Sequence, residues 1–337
     1  MPELRVDLPA VATNTQAVTR LLQRHGLQLV AVTKGCRGEP RVAKAMLAGG
    51  AIALADTRDG NLLRLRAELP GIELHRLHLP SVVGRFVAGD VTYVSSLEGA
   101  RAVAALGEAA EPGTRRRVMV VMESGDLREG VPREGVLGLT ASIVDDPRLE
   151  LVGLATNYAC FRGKPEGVRE SVAIVAEAAR ELRARGILVG RVSGGNSSLL
   201  GLLAAGEDLP SEITELRCGE ALLLGQDALE HRPLPGCCGP ACLLRAEVLE
   251  SYTKRTSAGK RRYALLGIGR QDLGAGAVSF LEPELHEVGR SSDYLVVQIQ
   301  EGGPKIAVGT TVEMIPSYEA LVAAWTSPYV DLKLVGS

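Results

Sequence analysis

The chain has almost no excess charge of either sign: 38 Lys and Arg stand against 40 Asp and Glu in 337 residues. That balance leaves no global field to draw in nucleic acid or an anionic membrane surface, so small soluble ligands are the expected partners. No apolar run is long enough to span a bilayer, and Glu3, Arg5 and Asp7 already charge the first residues, so a cytoplasmic protein is expected. Cysteine is sparse and scattered (Cys36, Cys160, Cys218, Cys237, Cys238, Cys242), which argues against a disulfide-stapled scaffold and for reduced thiols. Cys237, Cys238 and Cys242 lie near one another but lack a fourth ligand at finger-like spacing, His231 being the only histidine nearby, and no metal is expected. Internal repeats and low-complexity tracts are absent. So is the GxGxxG fingerprint of open dinucleotide-binding sheets.

What is present is ordinary globular composition, 46% hydrophobic and 23% charged, with length for one large or two medium domains. Apolar runs between turn residues predict strands at 27–33, 51–55, 73–77, 91–94, 118–122, 151–156, 188–192 and 213–217. Helical spacing of apolar residues predicts helices between them, as at 40–48, 60–69, 97–110 and 168–185. Strand-then-helix repeated eight times within about 200 residues fits a closed (β/α)8 TIM-type barrel. The arginine run at 115–117 is read as a solvated edge before a strand. After His231 the stretch Arg-Pro-Leu-Pro-Gly-Cys-Cys-Gly-Pro blocks regular structure and reads as a linker. Strand-like runs at 242–249, 262–266, 294–299 and 311–315, without a long helix between them, predict a small β domain. The expected division is therefore a barrel over 9–232 and a C-terminal β domain over 233–337, joined by residues 1–8.

Barrel enzymes carry their chemistry at the C-terminal ends of the strands. On that criterion one mouth receives Lys34 after the first strand and Arg128 after the fifth. Asn157 and Tyr158 follow the sixth strand, Ser193 to Ser197 the seventh, and Arg217 to Glu220 the eighth. An amine where a buried strand runs out into a glycine turn suits a Schiff-base lysine, because desolvation favours the neutral nucleophile; a solvated loop lysine is the plain alternative. Ser193-Gly194-Gly195-Asn196-Ser197 precedes a helix and reads either as an N–H nest for a phosphate or as a glycine turn with an N-cap. A strand-end amine beside an anion cradle points to pyridoxal 5'-phosphate.

Six stretches, in order along the chain, carry a family resemblance. They are Ala31-Val32-Thr33-Lys34, Gly125-Asp126-Leu127-Arg128-Glu129-Gly130, Ser193-Gly194-Gly195-Asn196-Ser197-Ser198, Arg217-Cys218-Gly219-Glu220-Ala221-Leu222-Leu223-Leu224-Gly225, Gly269-Arg270-Gln271-Asp272 and Thr326-Ser327-Pro328-Tyr329-Val330. Together they resemble the alanine racemase type of pyridoxal-phosphate enzyme, in particular its ornithine racemase branch. The resemblance implies that Lys34 forms the internal aldimine and then serves as one acid/base group, and that Arg217 contacts the pyridine nitrogen. A guanidinium donates and never yields its proton, which leaves that nitrogen unprotonated and favours proton removal and return over transamination. It further implies that Arg128 lies near the ring hydroxyl and the substrate carboxylate and that Asn157 flanks the ring. Ser193, Gly195, Asn196, Ser197, Gly219 and Glu220 correspond to the phosphate-binding turns. For Glu220 only the backbone suits an anion, since its carboxylate repels one. Tyr318 matches a phosphate-reaching tyrosine, and Gln271 and Asp272 match substrate-site residues lent across a head-to-tail homodimer.

Racemisation needs a second group on the opposite face of the α-carbon. The family places a β-domain tyrosine there; Tyr252 and Tyr263 are the candidates, Tyr252 being the residue we assign, with Tyr158 or Cys160 as substitutes from the barrel. Gly35-Cys36-Arg37 also departs from the family, standing where a phosphate-reaching tyrosine is expected. The expected activity is interconversion of the L- and D-forms of ornithine, alanine or a related amino acid by α-proton abstraction. A decarboxylase or lyase on the same fold is the first alternative, and a non-catalytic carrier of the cofactor the second. The carrier type is a barrel alone, whereas about 100 residues follow the linker here.

Overall fold

The computed structural model describes residues 1–110, 114–159, 163–256 and 259–336. The chain divides into two compact units: a sheet unit of Met1–Ala10, Gly35–Arg37 and Pro240–Ser337, and a barrel unit of Val11–Lys34 and Gly38–Gly239. The first strand, β1 (Glu3–Asp7), belongs to the sheet unit, and α1 (Leu8–Arg24) follows it.

In the barrel unit β2 (Gln28–Val32), β3 (Ala53–Asp56), β4 (Leu74–Arg76) and β5 (Val91–Val94) are joined by β6 (Arg116–Met122), β7 (Leu149–Thr156), β8 (Arg191–Ser193) and β9 (Glu215–Cys218) in a closed parallel barrel. The intervening helices are α2 (Pro40–Ala48), α3 (Asp59–Glu68), α4 (Leu97–Ala110), α5 (Arg133–Asp145), α6 (Pro165–Ala184), α7 (Leu200–Ala204) and α8 (Glu220–Leu224). All eight expected strands are present, because strands covered on both faces read as unbroken apolar runs. Residues 77–90, between β4 and β5, carry no helix.

The barrel interior is packed. Val30, Val32, Ala53 and Ala55 form one buried cluster, and Val91, Tyr93, Met119, Val121, Val152 and Ala155 another, with half-buried Leu77 against both. Gly153 of β7 is dictated by a neighbour: a Cβ there would lie 1.8 Å from the Arg191 carbonyl oxygen. Two polar knots accompany this packing. At the C-terminal end of β3, fully buried Asp56 accepts hydrogen bonds from Thr33 Oγ1 (2.6 Å), Asn61 Nδ2 (2.9 Å) and the N–H groups of Thr57 (2.7 Å) and Arg58 (3.0 Å).

At the opposite end, Glu73 accepts from His75 Nε2, Arg117 Nη1 and Arg191 Nη1, each at 2.7 Å. Arg191 also donates to buried Glu215 at 2.7 Å. Arg117 thus departs from the expected solvated edge. The run at 115–117 enters β6, whose parallel register places Arg117 beside Val91, and its guanidinium turns to Glu73. His75 foremost, with the two guanidiniums, holds the Glu73 carboxyl well below its ordinary value against the upward push of burial.

The sheet unit is antiparallel in most of its pairings. Its strands β10 (Cys242–Thr256), β11 (Gly259–Leu266), β12 (Val278–Phe280), β13 (Leu285–Arg290), β14 (Leu295–Ile299) and β15 (Thr311–Pro316) run in the order β12-β15-β10-β11-β14-β13. β1 pairs antiparallel with β10 and parallel with β16 (Asp331–Val335). The register of β10 slips between Val248 and Glu250, so its first half serves β1 and β15 and its second half β11. A short α9 (Arg270–Leu273) and α10 (Tyr318–Thr326) complete it. As expected, no long helix lies between the strand runs, and α10 comes after the last of them; it follows Ser317, whose hydroxyl accepts from the Ala320 N–H.

Two outcomes follow from the knots. Asp56→Ala strips partners from buried Thr33 and Asn61 and lowers unfolding stability by about 3 kcal/mol in urea titration; a loss below about 0.5 kcal/mol would mean the knot is dispensable. Because the folded-state pKa of Glu73 is depressed, its stabilisation is present above the ordinary value of 4.5 and fades as pH falls below it. Glu73→Gln is therefore less stable than wild type at neutral pH, and the gap narrows in urea melts taken at about pH 3.5. An equal gap at both pH values counts against this account.

Candidate active site

Three adjacent strand ends, those of β8, β9 and β2, bring most of the expected residues to one mouth of the barrel. Lys34 follows β2, whose Val30 and Ala31 lie beside Arg217 and Cys218 of β9. Contrary to the expectation of a desolvated amine, Lys34 is exposed, and among the described residues no hydrogen bond or ion pair holds its ammonium. Its neighbour Thr33 is fully buried and tied to Asp56, so the backbone that carries the lysine is fixed while its side chain is not.

Arg217 is the reverse case, a buried guanidinium with every named partner neutral. Nη1 donates to Ser193 Oγ, Nη2 donates to the Thr156 carbonyl at 2.6 Å, and the guanidinium carbon lies 5.2 Å from the centre of the Tyr93 ring. The Thr156 carbonyl is itself held in place. Thr156, Ser124 and Ser171 hydroxyls form a buried triangle, with Ser124 to Ser171 at 2.6 Å and Thr156 to Ser171 at 3.0 Å.

The turn after β8 uses Asn196 as a cap: its side-chain oxygen accepts from the Ser198 N–H at 2.8 Å. Its amide donates to Asn157 Oδ1 (3.1 Å) and to the Tyr158 carbonyl (2.8 Å), tying the ends of β7 and β8 together. The N–H groups of Gly195, Asn196 and Ser197 have no protein acceptor among the described residues. Gly195 sits at φ +135°, a conformation that favours glycine, and a Cβ on Gly219 would lie 2.7 Å from the Val32 carbonyl oxygen. Ser197 Oγ, buried, accepts from the Ala221 N–H at 3.5 Å. Glu220 opens α8 and its carboxylate reaches toward His231 Nδ1 at 3.8 Å. Cys218 is buried, and burial pushes its thiol up to about 12, so it stays protonated.

Arg128 belongs to a tight loop, residues 123–130. Glu123 accepts from the N–H groups of Gly125 (2.5 Å), Leu127 (3.2 Å) and Arg128 (3.1 Å), and Leu127 takes φ +53°. Arg128 pairs with Glu129, its Nη2 donating to Oε1 at 2.7 Å, and its Nε lies 4.0 Å from buried Asp126. Asp126 in turn accepts from Asn157 Nδ2 at 3.3 Å, so Arg128, Asp126, Asn157 and Asn196 form one chain of contacts across three strand ends. Tyr158 is packed over Gly167, where a Cβ would meet its hydroxyl at 2.2 Å. Cys160 lies outside the described residues.

The other expected residues are in the sheet unit. Tyr252 and Tyr263 face each other across β10 and β11, rings 5.7 Å apart, with Lys254 Nζ 4.5 Å from the Tyr252 ring centre. Gln271 donates to Asp293 at 2.7 Å. Asp272 is buried, accepting from the Gly269 N–H (3.3 Å) and from Ser327 Oγ (2.9 Å), which joins two of the six motifs. Half-buried Tyr318 is the first residue of α10.

Asp56, the Thr156, Ser124 and Ser171 hydroxyls, and Tyr93, His75 and Glu73 below Arg217 were not expected from the sequence. A polar residue inside an apolar strand, as at His75 and Tyr93, was the available signal. Among the described residues no group of three His, Cys, Asp or Glu side chains is arranged for a metal, and no helix is long and apolar enough to cross a membrane.

Residues 6–227 match the family described as alanine racemase, N-terminal domain. A lysine racemase of Thermotoga maritima is 29% identical over 98% of this chain and 97% of its own. An ornithine racemase of Acetoanaerobium sticklandii is 26% identical over 99% of each chain. Among solved structures, the alanine racemase from Corynebacterium glutamicum shares the fold, with a TM-score of 0.75, 18% identity and 99% of each chain covered. A D-threo-3-hydroxyaspartate dehydratase does so too, with a TM-score of 0.77, 18% identity, and 99% of this chain and 92% of that one covered. With about two thirds of its length matched by the family, the chain belongs to the alanine racemase family, as an enzyme of the amino-acid racemase type.

Proposed function

We propose that the chain is a pyridoxal 5'-phosphate-dependent racemase that interconverts the L- and D-forms of a small or basic amino acid, ornithine and lysine foremost. The observation that carries the proposal is the meeting of Lys34, Arg217 and the Ser193–Ser197 turn at the adjacent ends of β2, β9 and β8. These residues fit the cofactor. The N–H groups of Gly195, Asn196 and Ser197 are available to an anion, Gly219 has no room for a Cβ, and Lys34 is exposed for reaction with an aldehyde. Basic substrates are favoured by the two relatives alignable end to end, one a lysine and one an ornithine racemase.

Pyridoxal phosphate, when bound, supplies an electron sink that acidifies the substrate's α-hydrogen. The remaining roles belong to the chain. Lys34 holds the cofactor and then moves the proton on one face of the α-carbon. Arg217 donates to the ring nitrogen and, as a guanidinium, keeps that nitrogen from gaining a proton. Arg128 pairs with the substrate carboxylate. Asn157, fixed by Asn196 and Asp126, borders the ring. Ser193, Ser197 and Glu220, the last through its backbone, complete the phosphate turns, and Tyr318, Gln271 and Asp272 are assigned on their match to the family motifs. We assign the opposite face to Tyr252, whose hydroxyl has no hydrogen bond among the described residues, lent by the sheet unit of a partner in a head-to-tail homodimer. The enzyme would act in the cytoplasm.

Purified protein incubated with pyridoxal phosphate is expected to gain the visible absorbance that the cofactor acquires on joining a lysine amine, and Lys34→Ala to lose it along with about 10³-fold or more in turnover. With L-ornithine or L-lysine in D₂O, deuterium is expected at the α-carbon of both enantiomers; release of carbon dioxide or ammonia instead would assign a decarboxylase or lyase. Tyr252→Phe separates the two faces. It is expected to slow racemisation by about 10²-fold while exchange of the α-hydrogen with retained configuration continues on the enantiomer served by Lys34. Undiminished racemisation would move the second role to another residue.

A further inference from the structure

Beneath Arg217 the barrel holds a buried column of polar groups that packing alone does not require. Arg217 Nη1 donates to Ser193 Oγ, and the Ser193 hydroxyl acts on the Tyr93 phenol, drawing it down against the upward push of burial. Tyr93 Oη lies 3.4 Å from His75 Nδ1, and His75 Nε2 lies 2.7 Å from Glu73 Oε1. Ser193, Tyr93 and His75 are each buried, and Glu73 opens to solvent at the far end of the barrel. With His75 neutral, one direction of donation satisfies every link. Arg217 gives to Ser193, Ser193 to Tyr93, Tyr93 to His75 Nδ1, and the Nε2–H tautomer of His75 to the Glu73 carboxylate. Reversal is blocked at both ends, because a guanidinium cannot accept and an ionised carboxylate cannot donate. Burial pushes the Tyr93 phenol well above its ordinary value, so its single hydrogen stays in place. Arg191 Nη2, 3.3 Å from His75 Nε2, has its own acceptor in Glu215 at 2.7 Å and leaves the His75–Glu73 bond intact.

We propose that Tyr93 and His75 are positioning residues for Arg217: anchored by Glu73, they fix the plane of the guanidinium and the direction of its N–H groups toward the ring nitrogen of the bound cofactor. The Tyr93 ring supplies the floor, facing the guanidinium at 5.2 Å, and its hydroxyl locks Ser193 as an acceptor of Arg217. The column then works as one unit, since a break at any link frees the Ser193 hydroxyl to rotate and compete for other partners.

The inference rests on the proposed cofactor, and its test is chosen to separate the two. Cofactor-free wild type, Tyr93→Phe, His75→Gln and His75→Leu are titrated with pyridoxal 5'-phosphate and with its deaza analogue, in which carbon replaces the ring nitrogen. Tyr93→Phe and His75→Leu are expected to bind pyridoxal phosphate about fivefold more weakly, with affinity for the deaza analogue unchanged, while His75→Gln, able to accept from Tyr93 and donate to Glu73, restores most of the difference. A merely structural role would weaken both ligands alike or neither, and either result overturns the inference. Wild type that fails to bind pyridoxal phosphate through Lys34 removes the proposed function itself and this inference with it, an outcome told apart because it appears before any variant of the column is made.

Discussion

A permanently charged guanidinium buried at the mouth of a closed barrel is the constraint on which the site depends. Arg217 has given up most of its water, and such a charge is costly unless its N–H groups are matched. The chain meets that demand with neutral partners: a serine hydroxyl, a backbone carbonyl and an aromatic face. The carboxylates are placed elsewhere. Glu73 and Glu215 sit lower in the barrel and are matched there by Arg117 and Arg191. Arg217 therefore keeps its field, which a carboxylate beside it would have spent on an internal ion pair, and remains a strong donor to whatever acceptor is brought to the mouth.

The same constraint accounts for details that otherwise look unrelated. The Thr156 carbonyl can receive Arg217 only if the end of β7 is held, and the Thr156, Ser124 and Ser171 hydroxyls hold it against β6 and α6. Asp56 does the equivalent for the end of β2, securing Thr33 and leaving Lys34 free to reach. Fixed backbone and exposed amine are complementary in the proposed enzyme: a lysine that would both hold a cofactor and carry a proton needs travel, whereas the groups that would orient the ring do not.

Much of this was legible in the sequence, and the reasons are physical. Fully covered parallel strands announce themselves as apolar runs, so the barrel was readable, as were Lys34 and Arg217 at strand ends. The boundary errors arose where hydrogen bonding rather than apolarity sets the limit, as at β6, which begins at Arg116 inside a run that composition marks as solvated. The column of Glu73, His75 and Tyr93 was not legible, because alternation along a strand says which residues share a face but not whether that face looks into the barrel or out. Exposure of Lys34 was missed for a related reason: burial of a strand predicts the fate of its backbone, and a four-carbon stem can carry the charge clear of it.

The fold by itself does not choose the reaction, since a dehydratase and alanine racemases share it at comparable TM-scores. The choice has to come from the groups that face the reacting carbon. If Arg217 meets the ring nitrogen as proposed, a donor that cannot surrender its proton would limit how much charge that nitrogen stabilises, disfavouring eliminations and transfers that need a long-lived carbanion and favouring prompt return of the proton. The neutral setting of Arg217 sharpens this. The named partners of Arg217 are a serine hydroxyl, a backbone carbonyl and an aromatic ring, so in the proposed enzyme no carboxylate among them would stand ready to relay a proton to the cofactor's ring nitrogen. On the proposed function, a chain that kept that nitrogen unprotonated would be suited to moving a hydrogen from one face of a carbon to the other.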